Sequence, residues 1–233
     1  MYKKLIVANW KSNKNPEEAV QWLEELKQKT ENLALKTENF EVVICPPFID
    51  IPTLNNRLKV MSFKFQVKVG AQDVSPFDNG SYTGAVSAKQ MQGLIDYCIV
   101  GHSERRKNFG ETTAMVASKI SQLVSQKIKP IICAENQENI PDNLKSFSTD
   151  SAVIMFEPSS AISINGVFRA EDPAEVQKVI TDWKATVGNY QMLYGGSVNP
   201  ENTKQLLEVR AEGFVIGKAS LSVDSFTGIL ANV

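Results

Sequence analysis

"KKLIVANWKSNKNPEE", residues 3–18, holds a strand, a polar turn and the start of a helix in one line. Leu5-Ile6-Val7-Ala8 is a continuous apolar run, the pattern of a parallel strand buried on both faces. Asn15-Pro16-Glu17-Glu18 supplies an N-cap, a proline at the first helical position and a capping-box glutamate. Ala19, Trp22, Leu23 and Leu26 then fall at i, i+3, i+4 and i+7, one apolar helix face. The segment between strand and helix decides the fold. An open dinucleotide-binding sheet places G-x-G-x-x-G there, so that backbone can approach a pyrophosphate. Here the strand runs into Asn9-Trp10-Lys11, with no glycine.

Outward from this unit, β-rich runs recur at intervals of roughly thirty residues, the length of a strand-plus-helix unit. They are Val42–Cys45, Val67–Gly70, Tyr97–Val100, Pro130–Cys133, Ala152–Phe156, Met192–Tyr194 and Phe214–Ile216. Between them, Asp172-Pro173-Ala174-Glu175 repeats the helix-start grammar, Asn199-Pro200 offers another start, and Val116, Ile120, Leu123 and Val124 mark one further helix face. Residues 137–151 are polar, contain Pro141 and lack periodicity, so a shortened or degraded fifth helix is expected. Eight alternating units without a composition break predict an α/β chain: one domain over residues 1–233, closed as a (β/α)8 barrel.

The 233 residues are 42% hydrophobic and 22% charged, enough apolar material for a large core. A net charge of −1 and a pI near 6.0 give no pull toward nucleic acid or an anionic membrane. The N-terminal apolar run is too short for a secretory signal, and no stretch approaches the ~18 apolar residues of a membrane span. Cys45, Cys98 and Cys133 are scattered within apolar runs and lack metal-ligand spacing. They read as reduced, buried thiols, Cys133 as a small core residue, in a cytoplasmic protein.

In barrels of this type chemistry gathers at the C-terminal ends of the strands. Those positions hold Asn9 and Lys11, then His102-Ser103-Glu104, Glu157, Gly195-Gly196-Ser197 and Gly217-Lys218. Each alone has an ordinary reading: a turn former, a surface charge, a core imidazole, a tight turn. Together they bring a carboxylate, an imidazole, an ammonium, an amide and two glycine-bearing turns to one mouth. Such turns entering helices after the last two strands are phosphate-binding devices, through backbone N–H groups. His102 is the only histidine in the chain.

At these residues the sequence resembles the triosephosphate isomerase family. "ANWK" (8–11), "GAQDVSPFDNGSYTGAVS" (70–87), "VGHSERR" (100–106), "FGET" (109–112), "FEP" (156–158), "YGGSV" (194–198) and "GFVIGKASL" (213–221) fall in that family's order and spacing. The likeness runs over essentially the whole chain. It implies a TIM barrel that interconverts dihydroxyacetone phosphate and D-glyceraldehyde 3-phosphate through an enediolate, in glycolysis and gluconeogenesis. It further implies Glu157 as base, His102 as electrophile, and Lys11 as a catalytic and substrate-binding cation. Asn9, Ser163, Ser197, Gly217 and Lys218 would bind substrate, with Ser103 and Glu104 behind them. No metal or organic cofactor is implied. The segment 73–85 resembles the family's protruding loop and implies a homodimer, with Thr83 near Asn9 and Lys11 of the other protomer.

The sequence departs from the family in three places. The lid after the base, usually P-V-W-A-I-G-T-G, reads Pro158-Ser159-Ser160-Ala161-Ile162-Ser163-Ile164-Asn165, without the tryptophan and with both glycines displaced. The turn after the fifth strand is "CAEN" rather than C-[IV]-G-E, and Lys218 replaces the second glycine of the last phosphate turn. The altered lid leaves two alternatives open: a related phospho-sugar isomerase taking a longer substrate, and a non-catalytic barrel that binds phosphate ligands.

Overall fold

The computed structural model describes residues 3–158, 160 and 171–233. Eight parallel strands close into one barrel in sequence order: β1 (Lys4–Asn9), β2 (Phe40–Cys45), β3 (Gln66–Ala71), β4 (Tyr97–Val100), β5 (Lys129–Ala134), β6 (Val153–Phe156), β7 (Gln191–Tyr194) and β8 (Gly213–Ile216). Closure is made by β1 against β8, with Leu5 opposite Gly213 and Ala8 opposite Ile216. The helices are α1 (Pro16–Glu31), α2 (Ile51–Val60), α3 (Ala88–Met91), α4 (Ser103–Phe109), α5 (Thr113–Ser125), α6 (Pro173–Thr186), α7 (Thr203–Glu208) and α8 (Val223–Leu230).

Continuous apolar strands are required because each strand has two buried faces. Leu5, Val7, Val43, Ile99 and Val153 point into the barrel, while Ile6, Ala8, Val42, Val100 and Ile154 pack beneath the helices. The opening capping box forms as the sequence predicts: Asn15 Oδ1 accepts from the N–H groups of Glu17 and Glu18 at 3.0 Å each, and Glu18 Oε2 accepts from Asn15 N at 2.9 Å. Trp22, Leu23 and Leu26 are buried on the inner face of α1, with Trp22 edge-on to Trp10 at 5.0 Å between ring centroids.

Between β5 and β6 the chain makes three short 3-10 turns, 137–139, 142–146 and 149–151, and no α-helix. Leu144 alone of this segment's turns is fully buried, and the Tyr190 hydroxyl donates to its carbonyl at 2.7 Å. The helix expected from Asn199-Pro200 begins at Thr203 instead. Asn199 and Asn202 accept each other's backbone N–H at 2.9 Å, which uses the first turn as a closed loop. Cys45, Cys98 and Cys133 are buried free thiols, and burial pushes the Cys45 thiol up. Among the described residues no helix is long and apolar enough to cross a membrane.

Candidate active site

β4 ends at Gly101, whose φ of +72° turns the chain in a conformation open mainly to glycine. That turn delivers His102 as the N-cap of α4. Its Nδ1 accepts the backbone N–H of Glu104 at 3.2 Å, and its Nε2 lies 3.0 Å from Oε1 of Glu157. Since the Nδ1 lone pair is engaged as an acceptor, the ring is the Nε2–H tautomer and donates to Glu157.

Glu157 follows β6 directly, its N–H bonded to Ala134 O at 2.9 Å, and only 6% of its surface is exposed. Its second oxygen accepts the N–H of Ser103 at 3.1 Å. Burial works against the carboxylate, but the hydrogen bond and charge of His102 and the contacts with Ser103 outweigh it and hold Glu157 below the ordinary glutamate value. The part owed to imidazole charge acts only when the ring is protonated. Ser103 Oγ is buried and makes no ordinary hydrogen bond among the described residues.

The β1 end carries the third group. Lys11 takes φ +53°, a left-handed backbone for a side-chain residue. Three bonds hold it: its N–H donates to Asn9 Oδ1 at 3.1 Å, Gln72 Nε2 donates to its carbonyl at 2.8 Å, and its Nζ meets Glu104 Oε1 at 2.6 Å. Asn9 is 4% exposed, and with Oδ1 occupied its Nδ2 remains a donor. Glu104 thus joins Lys11 through its carboxylate and His102 through its N–H.

At the last two strands, Gly195 N donates to Phe156 O at 2.8 Å, which fixes the β7 turn beside β6. Ser197 is buried, and Asn202 Nδ2 donates to its carbonyl at 2.8 Å. Gly217 abuts the Lys11 side chain, so that a Cβ there would sit 3.3 Å from Lys11 Cε. Lys218 begins the 3-10 turn Lys218–Leu221. Ser163 lies outside the described residues. Next to that segment, Ser160 Oγ donates to Glu171 Oε2 at 2.5 Å and Glu171 N donates to the Tyr194 hydroxyl at 3.0 Å.

Two features escaped the sequence reading. Gln72 sits inside the quoted "GAQDV" motif, and an amide two residues past a strand end was the available signal. The other is a buried ion network. Lys119, 1% exposed, meets Asp73 Oδ1 at 2.6 Å and Glu111 Oε1, while Arg105 meets Asp73 Oδ2 at 2.8 Å. It ties the root of the 73–85 loop to α4. In that loop Phe77 and Tyr82 are about half exposed and stacked on one another, 4.4 Å between centroids.

The family model described as Triosephosphate isomerase matches residues 4–233. Similar curated proteins include the triosephosphate isomerase of Thermus thermophilus, 35% identical over 99% of this chain and 98% of its own. That of Alkaliphilus metalliredigens is 33% identical over 99% of each chain. That of Coxiella burnetii is 34% identical over 97% of this chain and 95% of its own. A closed eight-stranded barrel, a carboxylate paired with an imidazole at its mouth, and likeness along nearly the whole length agree, and the chain belongs to the triosephosphate isomerase family of isomerase enzymes.

Proposed function

We propose that the site interconverts dihydroxyacetone phosphate and D-glyceraldehyde 3-phosphate by proton transfer between adjacent carbons. The observation that carries the reading is the 3.0 Å pairing of Glu157 Oε1 with His102 Nε2, beside a lysine anchored 2.6 Å from Glu104. Glu157, ionised, takes the proton from the carbon next to the carbonyl. The electron pair moves to form the carbon–carbon double bond, and the carbonyl oxygen becomes the enediolate oxygen. His102 Nε2–H, Lys11 Nζ and Asn9 Nδ2 are the donors for that charge. Fixed donors aimed at a developing oxyanion are the largest source of rate in such reactions. Glu157 then returns the proton to the neighbouring carbon, and His102 moves protons between the two oxygens.

Backbone N–H groups at Ser197, Gly217 and Lys218 are assigned to the non-reacting phosphate, with Ser163 from the lid. Gripping a remote group that does not react is a source of transition-state binding. Ser103 and Glu104 position the acting residues: Ser103 N–H holds the base, and Glu104 holds Lys11 and the imidazole. The reaction needs neither a metal nor an organic cofactor. The reading places the protein in glycolysis and gluconeogenesis, in the cytoplasm.

The same reading includes a homodimer through the 73–85 loop, with Thr83 near Asn9 and Lys11 of the second protomer. The half-exposed Phe77–Tyr82 stack supports it, since an aromatic pair on a protruding loop is an apolar surface suited to burial. A monomer by light scattering at micromolar concentration counts against it.

A coupled assay with glyceraldehyde 3-phosphate tests the activity. Glu157→Gln and His102→Gln are expected to lower kcat by about 10²–10⁴-fold, the usual range for a positioned acid or base. Activity unchanged in Glu157→Gln overturns the base assignment. Binding of phosphoglycolate without turnover of the triose phosphate overturns the enzyme reading in favour of a binding protein.

A further inference from the structure

The charge at the barrel mouth does not suit a phosphate ester until the β8 turn is included. Lys11 is already matched by Glu104 at 2.6 Å, and Glu157 adds a second carboxylate nearby. A phosphate monoester brings about 1.5–2 negative charges at neutral pH. Two carboxylates and one ammonium therefore repel the group that the backbone turns are shaped to hold.

The β8 turn carries the missing cations. Gly217 is packed on Lys11, with a Cβ position 3.7 Å from Nζ, and the next residue, Lys218, is exposed at the start of the turn. At the far end of the same turn Lys14 Nζ donates to the carbonyl of Leu221 at 3.2 Å and lies 5.5 Å from the centre of the Trp10 ring. Lys14 occupies an unfavourable place. Its φ is +71°, where a side chain is strained, and burial pulls its ammonium down despite Glu18 and Glu25. A glycine in that position would carry neither strain nor desolvation. What the lysine adds is a bond from the β1–α1 loop, which carries Lys11, to the turn that begins at Lys218.

We infer that two lysines complete the phosphate grip: Lys218 presents a second cation to the dianion, and Lys14 is a positioning residue that clamps the β8 turn against the loop of Lys11. The inference rests on the triose-phosphate reading of the site. Its ligand chemistry is a tetrahedral phosphate dianion, so inorganic phosphate serves as a probe in its own right.

The test compares the full-length wild type with Lys218→Gln, Lys218→Arg, Lys14→Met and Lys14→Arg. Rates with glyceraldehyde 3-phosphate and competitive inhibition by inorganic phosphate are measured from about 0.01 M to about 0.3 M ionic strength, across which screening shortens from roughly 30 Å to below 10 Å. Lys218→Gln is expected to raise KM and the phosphate inhibition constant roughly three- to tenfold at low salt, more than it changes kcat, with the gap closing at high salt. Lys218→Arg keeps wild-type values. Lys14→Met raises the same two constants, and Lys14→Arg restores them.

Wild-type KM, inhibition constant and salt slope in Lys218→Gln overturn the charge role. A Lys14→Met variant that only melts lower, with both constants unchanged, overturns the clamp. Failure of the parent reading looks different: the wild type then turns over no triose phosphate, while calorimetry with inorganic phosphate still reads the grip directly. Weaker phosphate binding in Lys218→Gln supports the inference there, and equal binding overturns it.

Discussion

The backbone N–H of Glu104 donates to Nδ1 of His102 at 3.2 Å, although the Glu104 carboxylate stands only 3.8 Å from the same nitrogen. A carboxylate at that distance on its own favours a protonated ring. Here its other oxygen lies 2.6 Å from the Lys11 ammonium, so its charge is largely spent, and the N–H bond determines the tautomer. The consequence is a ring that can offer a proton from Nε2 to an oxyanion. Because the chain has one histidine, a ¹⁵N spectrum reports this ring alone. Nδ1 without a proton and Nε2 with one are expected near neutral pH; a doubly protonated ring there contradicts the assignment.

Replacing Glu104 by Gln tests the carboxylate separately from the N–H. The backbone donor stays, so the tautomer is expected to persist. Lys11 loses its anchor, and kcat/KM is expected to fall about tenfold, the order of a charge-assisted hydrogen bond. Loss of the Nε2–H tautomer in this variant would show that the carboxylate, and not the N–H, had set it.

The low titration of Glu157 has a sign that can be checked. Burial raises the carboxyl; the His102 bond and charge, with Ser103, pull it lower. A group depressed in the folded state contributes stability that is present above its unfolded value and is lost as pH falls through the folded value. In His102→Ala the chief opposing contact is gone and burial remains. The Glu157 titration, followed by ¹³C NMR of labelled glutamate, is expected to move up, and the acid limb of stability with it. An unchanged midpoint would mean that His102 does not hold the base down.

Much of this arrangement was legible in the sequence, for identifiable reasons. Parallel strands buried on both faces must be apolar throughout, so runs such as Val42–Cys45 and Pro130–Cys133 mark the strands to within a residue or two. Strand ends then locate the polar groups, because a barrel mouth is the one place where they all converge. Helix starts were legible where the cap is local, as at Asn15, and not where side chains pair across a loop, as Asn199 and Asn202 do. Lys119 was invisible for the same reason. Its place in α5 reads as a solvent-facing polar position until Asp73 and Glu111, distant in sequence, close over it.

That network makes a stability prediction. Lys119 is buried, and Lys119→Met leaves Asp73 and Glu111 facing each other and Arg105 alone. Removing one partner of a buried ion cluster costs about 3–5 kcal/mol. At about 2–4 °C per kcal/mol for a chain of this size, the melting temperature is expected to drop by roughly 6–20 °C. Adding Asp73→Asn and Glu111→Gln to Lys119→Met removes the orphaned charges and is expected to recover part of the loss. A triple variant less stable than the single one would assign the network a packing role beyond charge balance.

Asp50 is the opposite case, a buried acid with nothing to hold it. It precedes α2, is 0% exposed, and neither carboxyl oxygen has a hydrogen-bond partner among the described residues. Burial, and then the charge of Glu18, raises its carboxyl above the ordinary aspartate value. The sign is therefore reversed from Glu157: the folded state binds the proton more tightly than the unfolded chain, and stability falls as pH rises from the unfolded value through the folded one. At neutral pH an ionised, unpartnered carboxylate is a net penalty. Asp50→Asn keeps the shape and removes the charge, and is expected to stabilise the protein at pH 7 by about 1 kcal/mol, within the cost of one unsatisfied buried polar group. At pH 3, where the wild-type carboxyl is protonated, the advantage is expected to vanish. Urea titrations at the two pH values separate the cases, and an Asn variant less stable than wild type at pH 7 would mean that the carboxylate is solvated or paired in solution.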